Sequence, residues 1–204
     1  MSRIIFLFDG FNLYHALEAN PNYHKFKWLN LRNLSNLFLR KSEQLEGIYY
    51  FTSLVPWSAD KQNRHKIYIR ALRHMGVRPI YGAFRRRTKK CRAQCKLEFE
   101  TYEEKMTDVN IAVHLLRWAV EDKFDTAVLI TGDSDLVPAV EAVKDLYAEK
   151  RVNVIIPIGR RANLLKAACD ESFKIKVKHL ASSQFPDVVD LGGGVSVSRP
   201  PTWI

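Results

Sequence analysis

The stretch Thr126-Ala127-Val128-Leu129-Ile130-Thr131 has no polar alternation and stops abruptly at Gly132-Asp133-Ser134-Asp135. A strand that is apolar on both faces belongs in a sheet covered on both sides, which in practice means a parallel sheet flanked by helices. That one feature narrows the fold more than any other in the chain. It also bears on chemistry, because ligand sites in such sheets lie beyond the carboxyl ends of the strands. Asp133 and Asp135 stand on that turn, and paired carboxylates suit a hard cation such as Mg²⁺ or Mn²⁺. Helix capping is the competing explanation, with Ser134 or Asp135 as the cap of a segment from Leu136 and Asp133 favouring its dipole.

The remaining segments alternate as a parallel sheet requires. Residues 3–8 form an apolar run ending at Asp9-Gly10, followed by a helical segment over 11–18 that Asn20-Pro21-Asn22 breaks. Leucines at 29, 31, 34, 37 and 39 predict a second helix, and 48–54 a second strand. Ser58 or Asp60 should cap a long helix ending before Gly76, with a third strand over 77–84. Thr101-Tyr102-Glu103-Glu104 has the form of a capping box and predicts a helix running to about Val120. Beyond the 126–131 strand come a helix over 136–149, a strand over 152–158, a helix over 162–168 and a short edge strand within 173–180. From Pro186 the periodicity disappears, and residues 183–204 read as a mobile tail on a single domain spanning 1–182.

The expected class is therefore α/β, with three layers around a mainly parallel sheet of five or six strands. Right-handed crossovers bring every strand-to-helix turn to one edge of that sheet. Asp9 and the Asp133/Asp135 pair then share an edge if their strands are neighbours. A fourth acid joins them from a helix. Asp108 lies on the apolar stripe of Ala112, Leu115 and Ala119, and with Thr101 as N-cap it would stand about two turns inside. Such a charge is costly unless a cation meets it. The alternative places Thr107 as the cap, with Asp108 in a favourable first turn. Four crowded carboxylates repel one another unless a divalent ion neutralises them, and the chemistry they suit is metal-assisted phosphodiester hydrolysis.

Charge and cysteine usage agree with that chemistry. Lys and Arg outnumber Asp and Glu by 32 to 22, so acids at strand ends sit on a chain that attracts polyanions. No apolar stretch is long enough for a transmembrane helix, and the N-terminus lacks the form of a signal peptide. Three cysteines argue against a disulfide framework, so a cytoplasmic location is expected.

Phe8-Asp9-Gly10-Phe11-Asn12, Glu103-Glu104-Lys105-Met106-Thr107-Asp108-Val109 and Thr131-Gly132-Asp133-Ser134-Asp135-Leu136 together resemble the three motif blocks of the NYN domain. That is a PIN-like nuclease family containing bacterial LabA-type proteins, and the resemblance covers roughly residues 3 to 180. It implies a PIN-like (Rossmannoid) sheet of central order 3-2-1-4-5 and ribonuclease activity dependent on Mg²⁺ or Mn²⁺. Residue by residue, it makes Asp9, Asp108, Asp133 and Asp135 the metal cluster. It makes Asn12 the residue positioning a phosphate or a water, with Thr131 and Ser134 orienting the loop. The chain departs from many PIN nucleases at Asn12, where an additional acid is common on the early helix. That departure keeps a second expectation alive, a non-catalytic RNA-binding or regulatory protein of the same fold. A Toprim-like site is disfavoured because the first strand ends in aspartate rather than glutamate.

Three further features remain. The basic segment from Arg85 to Lys96, with Arg85, Arg86, Arg87, Lys89, Lys90 and Arg92, could rim the same edge and bind RNA phosphates without base specificity. Trp57, Phe84 and Tyr102 could stack single-stranded bases, although aromatics near strand ends usually belong to the core. Cys91 and Cys95 could supply half of a zinc site, but no second pair stands nearby. The terminal Arg199-Pro200-Pro201-Thr202-Trp203 could fold back on its own chain or dock on a neighbour, which would make a homodimer.

Overall fold

The structure is a computed structural model, and it describes residues 1–91 and 96–203. In chain order the elements are β1 (Ser2–Asp9), α1 (Gly10–Glu18), α2 (Leu31–Asn36), β2 (Glu43–Thr52), α3 (Ala59–His74), β3 (Val77–Tyr81), β4 (Ala83–Lys90) and β5 (Glu98–Lys105). There follow α4 (Thr107–Val120), β6 (Thr126–Ile130), α5 (Val137–Leu146), β7 (Arg151–Ile156), α6 (Asn163–Ala168), β8 (Ser172–Lys174), α7 (Val177–Ser182), β9 (Val188–Asp190) and β10 (Ser196–Ser198).

Six strands form the central sheet in the order β3-β2-β1-β6-β7-β8. Every adjacent pair within it is parallel. This is the expected 3-2-1-4-5 order with a sixth strand added at one edge. Strand β1 shows how the layers arise. Ile4, Phe6 and Phe8 face one core with Trp28, Leu34 and Leu72, while Ile5 and Leu7 face the other with Leu115, Phe124 and Val140. Period-two alternation thus feeds two separate apolar layers. Both β1 and β6 are buried on each face because helices cover both sides.

Several local expectations give way to tertiary structure. Thr101-Tyr102-Glu103-Glu104 does not open a helix; it lies inside β5, which pairs antiparallel with β4. The acids of β5 find the cations of β4 (Arg86 with Glu100, Arg87 with Glu103, Lys90 with Glu98), and cross-strand attraction outweighs a local capping signal. The chain then turns through Met106 at φ 80°, and α4 begins at Thr107. Asp108 therefore opens α4 instead of lying two turns inside it.

The predicted helix at 29–39 contracts to α2, because the Asn30 side chain accepts from the backbone N–H groups of Arg32 and Asn33 and so caps it late. The expected edge strand within 173–180 resolves into β8 followed by α7.

The stretch that loses periodicity after Pro186 is nonetheless structured, with β9 and β10 as an antiparallel pair. Trp203 is 8% exposed and packs against Trp28 and Tyr68, so this segment folds back on its own chain. Its core comes from a few large side chains placed by turns, a pattern that no periodicity reports. Among the described residues no helix is long and apolar enough to cross a membrane.

Candidate active site

Asp9 is the last residue of β1 and is 4% exposed. Its Oδ1 accepts from the backbone N–H of Asn12 at 2.9 Å, which caps α1. Its Oδ2 accepts from the hydroxyl of Thr131 at 2.9 Å. Gly10 makes this placement achievable, since a Cβ there would lie 2.6 Å from the carbonyl oxygen of Phe51.

The β6 turn is tied to α1 by a second bond, from the backbone N–H of Gly132 to Asn12 Oδ1 at 3.0 Å. Thr131 Oγ also accepts from the backbone N–H of Asp133 at 3.1 Å. The capping expectation is corrected here: neither Ser134 nor Asp135 is the cap. Asp133 is, its Oδ1 accepting from the N–H of Asp135 at 3.0 Å. A turn of 3-10 helix at 134–136 precedes α5, and this moves the cap one residue back toward the strand. Ser134 and Asp135 are exposed on that turn.

Asp9, Asp108 and Asp133 thus line one cavity from β1, α4 and the β6 turn. The Asp9 carboxyl is pushed up to about 6, chiefly by burial, with Asp108 and Asp133 adding repulsion against the two hydrogen bonds that lower it. Asp108 is also raised to about 6, by burial and then by Asp133, Glu104 and Asp135. Among the described residues no three acidic, imidazole or thiol groups stand close enough to hold one ion between them. The donor set is nevertheless oxygen-only and self-repelling, which fits a hard divalent cation that keeps several of its waters and needs few direct ligands.

Two residues of this site were not singled out from the sequence. Glu104 is next to last in β5, close enough to raise Asp108, and its Oε1 accepts from the hydroxyls of Thr107 and Ser53. It hid inside the misread capping box. Arg160 follows β7, so the same edge rule that linked Asp9 to Asp133 points to it as well. Its Cβ is 3.1 Å from where a Cβ on Gly132 would stand, and its Nε is buried with no hydrogen-bond partner among the described residues.

A cavity of about 630 Å³ opens beside the acids. Its lining includes Asp9, Asn12, Glu104, Asp108, Asp133 and Arg160, and with them the rings of Trp57, Phe84 and Tyr102 and the basic Lys61 and Arg64. Burial holds His65 down to about 4, a neutral imidazole beside the hydroxyls of Tyr50 and Thr52.

The basic run lies elsewhere. Strand alternation sets Arg85, Arg87 and Lys89 on the opposite face of β4 from Phe84. Arg86, Arg87 and Lys90 are paired with acids of β5, and Arg92 falls outside the described residues. The zinc expectation cannot be followed either, since Cys95 also lies outside them.

A family model of the NYN domain matches residues 3–176, which takes in every acid named above. The chain belongs to the NYN domain family. This NYN domain is 27% identical to 6-hydroxy-3-succinoylpyridine 3-monooxygenase HspA of Pseudomonas putida (strain DSM 28022 / S16), over 96% of its own length and 73% of the relative's. Its fold also matches a crystal structure of a Vibrio parahaemolyticus protein of unknown function. That match has a TM-score of 0.61 at 16% identity, covering 90% of this NYN domain and 96% of the other chain.

Proposed function

We propose that this NYN domain protein is a cytoplasmic, Mg²⁺- or Mn²⁺-dependent ribonuclease that hydrolyses phosphodiester bonds of single-stranded RNA. The observation that carries the reading is that Asp9 at the end of β1, Asp108 at the start of α4 and Asp133 on the β6 turn line one cavity, with Asp9 and Asp108 both raised to about 6 by burial and then by neighbouring acids. A divalent cation would relieve that repulsion, met by Asp9, Asp108 and Asp133 partly through its own waters, with Asp135 and Glu104 completing the negative field. When bound, such an ion lowers the pKa of water and offsets charge building on the phosphoryl oxygens.

The chain's own groups supply the rest. Thr131 and Asn12 hold the two turns in register, and Ser134 shapes the β6 turn. Arg160 offers a guanidinium to the phosphate, its buried Nε gaining the acceptor it otherwise lacks. Hydrolysis adds water across the P–O3′ bond and leaves a 5′-phosphate and a 3′-hydroxyl. Arg85 and Lys89 of β4, which pair with no acid among the described residues, add phosphate contacts outside the cavity.

The test is cleavage of labelled single-stranded RNA with Mn²⁺, Mg²⁺ or EDTA, wild type against Asp133→Asn. Metal-dependent cleavage lost in the variant is expected. Activity that survives EDTA, or that ignores the substitution, overturns the proposal; binding without cleavage returns the protein to the regulatory class.

A second reading rests on the cavity. At about 630 Å³ with aromatic and basic walls, it has the dimensions of a small-molecule site. The Pseudomonas putida relative is named for the oxidation of a succinoylpyridine, so a small aromatic acid is the ligand class this reading names.

A further inference from the structure

Single-stranded RNA binding is commonly built from a basic groove with aromatic faces in it, because every base has a π-face and every linkage a charge. Both components meet in this cavity. Trp57 stacks on Tyr102 with ring centroids 4.5 Å apart and planes 24° apart. Phe84 meets Trp57 edge-on at 4.7 Å and Phe11 edge-on at 5.5 Å. The four rings, each in contact with the next, all line the cavity, and Phe11 stands two residues from Asp9. Lys61 and Arg64, one turn apart on α3, line the same space.

Holding the β4–β5 hairpin against the body explains the contact between Trp57 and Tyr102. It does not explain why Trp57 remains 42% exposed when Tyr102 already covers one of its faces. A tryptophan kept this open beside an acidic centre is a platform.

We infer that the cavity holds one unpaired base next to the scissile phosphate, stacked on the Trp57–Tyr102 wall, with Lys61 and Arg64 contacting the flanking phosphates. The inference rests on the ribonuclease reading and adds a base-binding site to it, which needs a base free to leave its neighbours. A base inside an A-form duplex is stacked on both faces and paired at its edge, so duplex RNA is excluded from the cavity.

The test uses the full chain carrying Asp133→Asn, so that binding is read without cleavage. A labelled single-stranded RNA, the same RNA with one abasic ribose, and its duplex are compared by fluorescence anisotropy. The single strand should bind at least tenfold more tightly than the duplex, and loss of the stacked base should weaken binding about five- to a hundredfold. Adding Trp57→Ala should produce a similar loss, and Trp57→Phe should recover most of it.

Equal binding of all three RNAs overturns the inference. So does tight binding of nicotinate with RNA contributing nothing, which would make the cavity a small-molecule site. The abasic comparison needs no change at Trp57, so a misfolded Trp57→Ala protein leaves it intact. Cleavage that is absent from the wild type while the abasic effect persists removes the catalytic reading alone; cleavage indifferent to the missing base removes the base site alone.

Discussion

The hydroxyl of Thr131 donates to Asp9 Oδ2 at 2.9 Å and accepts from the backbone N–H of Asp133 at 3.1 Å, joining acids 124 positions apart through one oxygen. Thr131 is itself 1% exposed, so no water replaces the bond if it is lost. The distance between the β1 acid and the β6 turn is therefore set by a side chain and not by the sheet alone. Because the bond favours the charged form of Asp9, removing it must raise that carboxyl further.

Thr131→Val keeps the shape and deletes the hydroxyl. We expect a stability loss of about 1–3 kcal/mol by urea denaturation, from the partners left unsatisfied. The carboxyl of Asp9, followed by NMR in metal-free protein, should titrate above its present value of about 6. An unchanged titration would show that the bond does not matter to the acid.

Asp9→Asn separates stability from function. The folded carboxyl at about 6 lies above its ordinary 3.8, so between those values the native state binds more protons than the unfolded one. Stability contributed by this group is thus greatest at low pH and falls as pH rises toward 6, at a cost of about 3 kcal/mol above that window. The asparagine can accept from the Asn12 N–H and donate to Thr131. It should stabilise metal-free protein at pH 7 by about 1–3 kcal/mol, lose that advantage near pH 3.5, and abolish cleavage. Denaturation midpoints at the two pH values check the sign.

Arg160→Gln should weaken RNA binding about tenfold and reduce the salt dependence of the binding constant by close to one phosphate contact, whereas Arg160→Lys retains the salt dependence. An independent readout is His15, which burial and then Arg160 hold below its ordinary value. Its imidazole should titrate higher in the glutamine variant than in the lysine variant.

Trp203→Ala tests the C-terminal packing. Truncating a buried tryptophan that touches Trp28 and Tyr68 should cost about 3–5 kcal/mol in urea denaturation. A change within 0.5 kcal/mol, roughly the surface-site range, would mean that the segment adds nothing to the core.

Much of this molecule could be read without coordinates. Apolar runs closed by Asp9 and by Gly132-Asp133 mark buried parallel strands, and the handedness of crossovers places their ends on one edge. The sheet order comes from the resemblance to the NYN domain, and with β1 beside β6 in that order Asp9 and Asp133 fall at neighbouring strand ends. The course of residues 98–108 did not follow. Thr101 to Glu104 satisfies a capping pattern, yet the cations of β4 claim the same stretch as a strand, and only pairing across the hairpin decides between them. That choice moved Asp108 from mid-helix to the opening of α4 and brought Glu104 to its side. Trp57, Phe84 and Tyr102 were visible as three scattered aromatics; the hairpin made them one wall. Patterns along a chain report what each segment prefers by itself. Which partner each segment meets, and so whether an acid, a guanidinium or a ring faces the cavity, is decided by contacts between residues far apart in sequence.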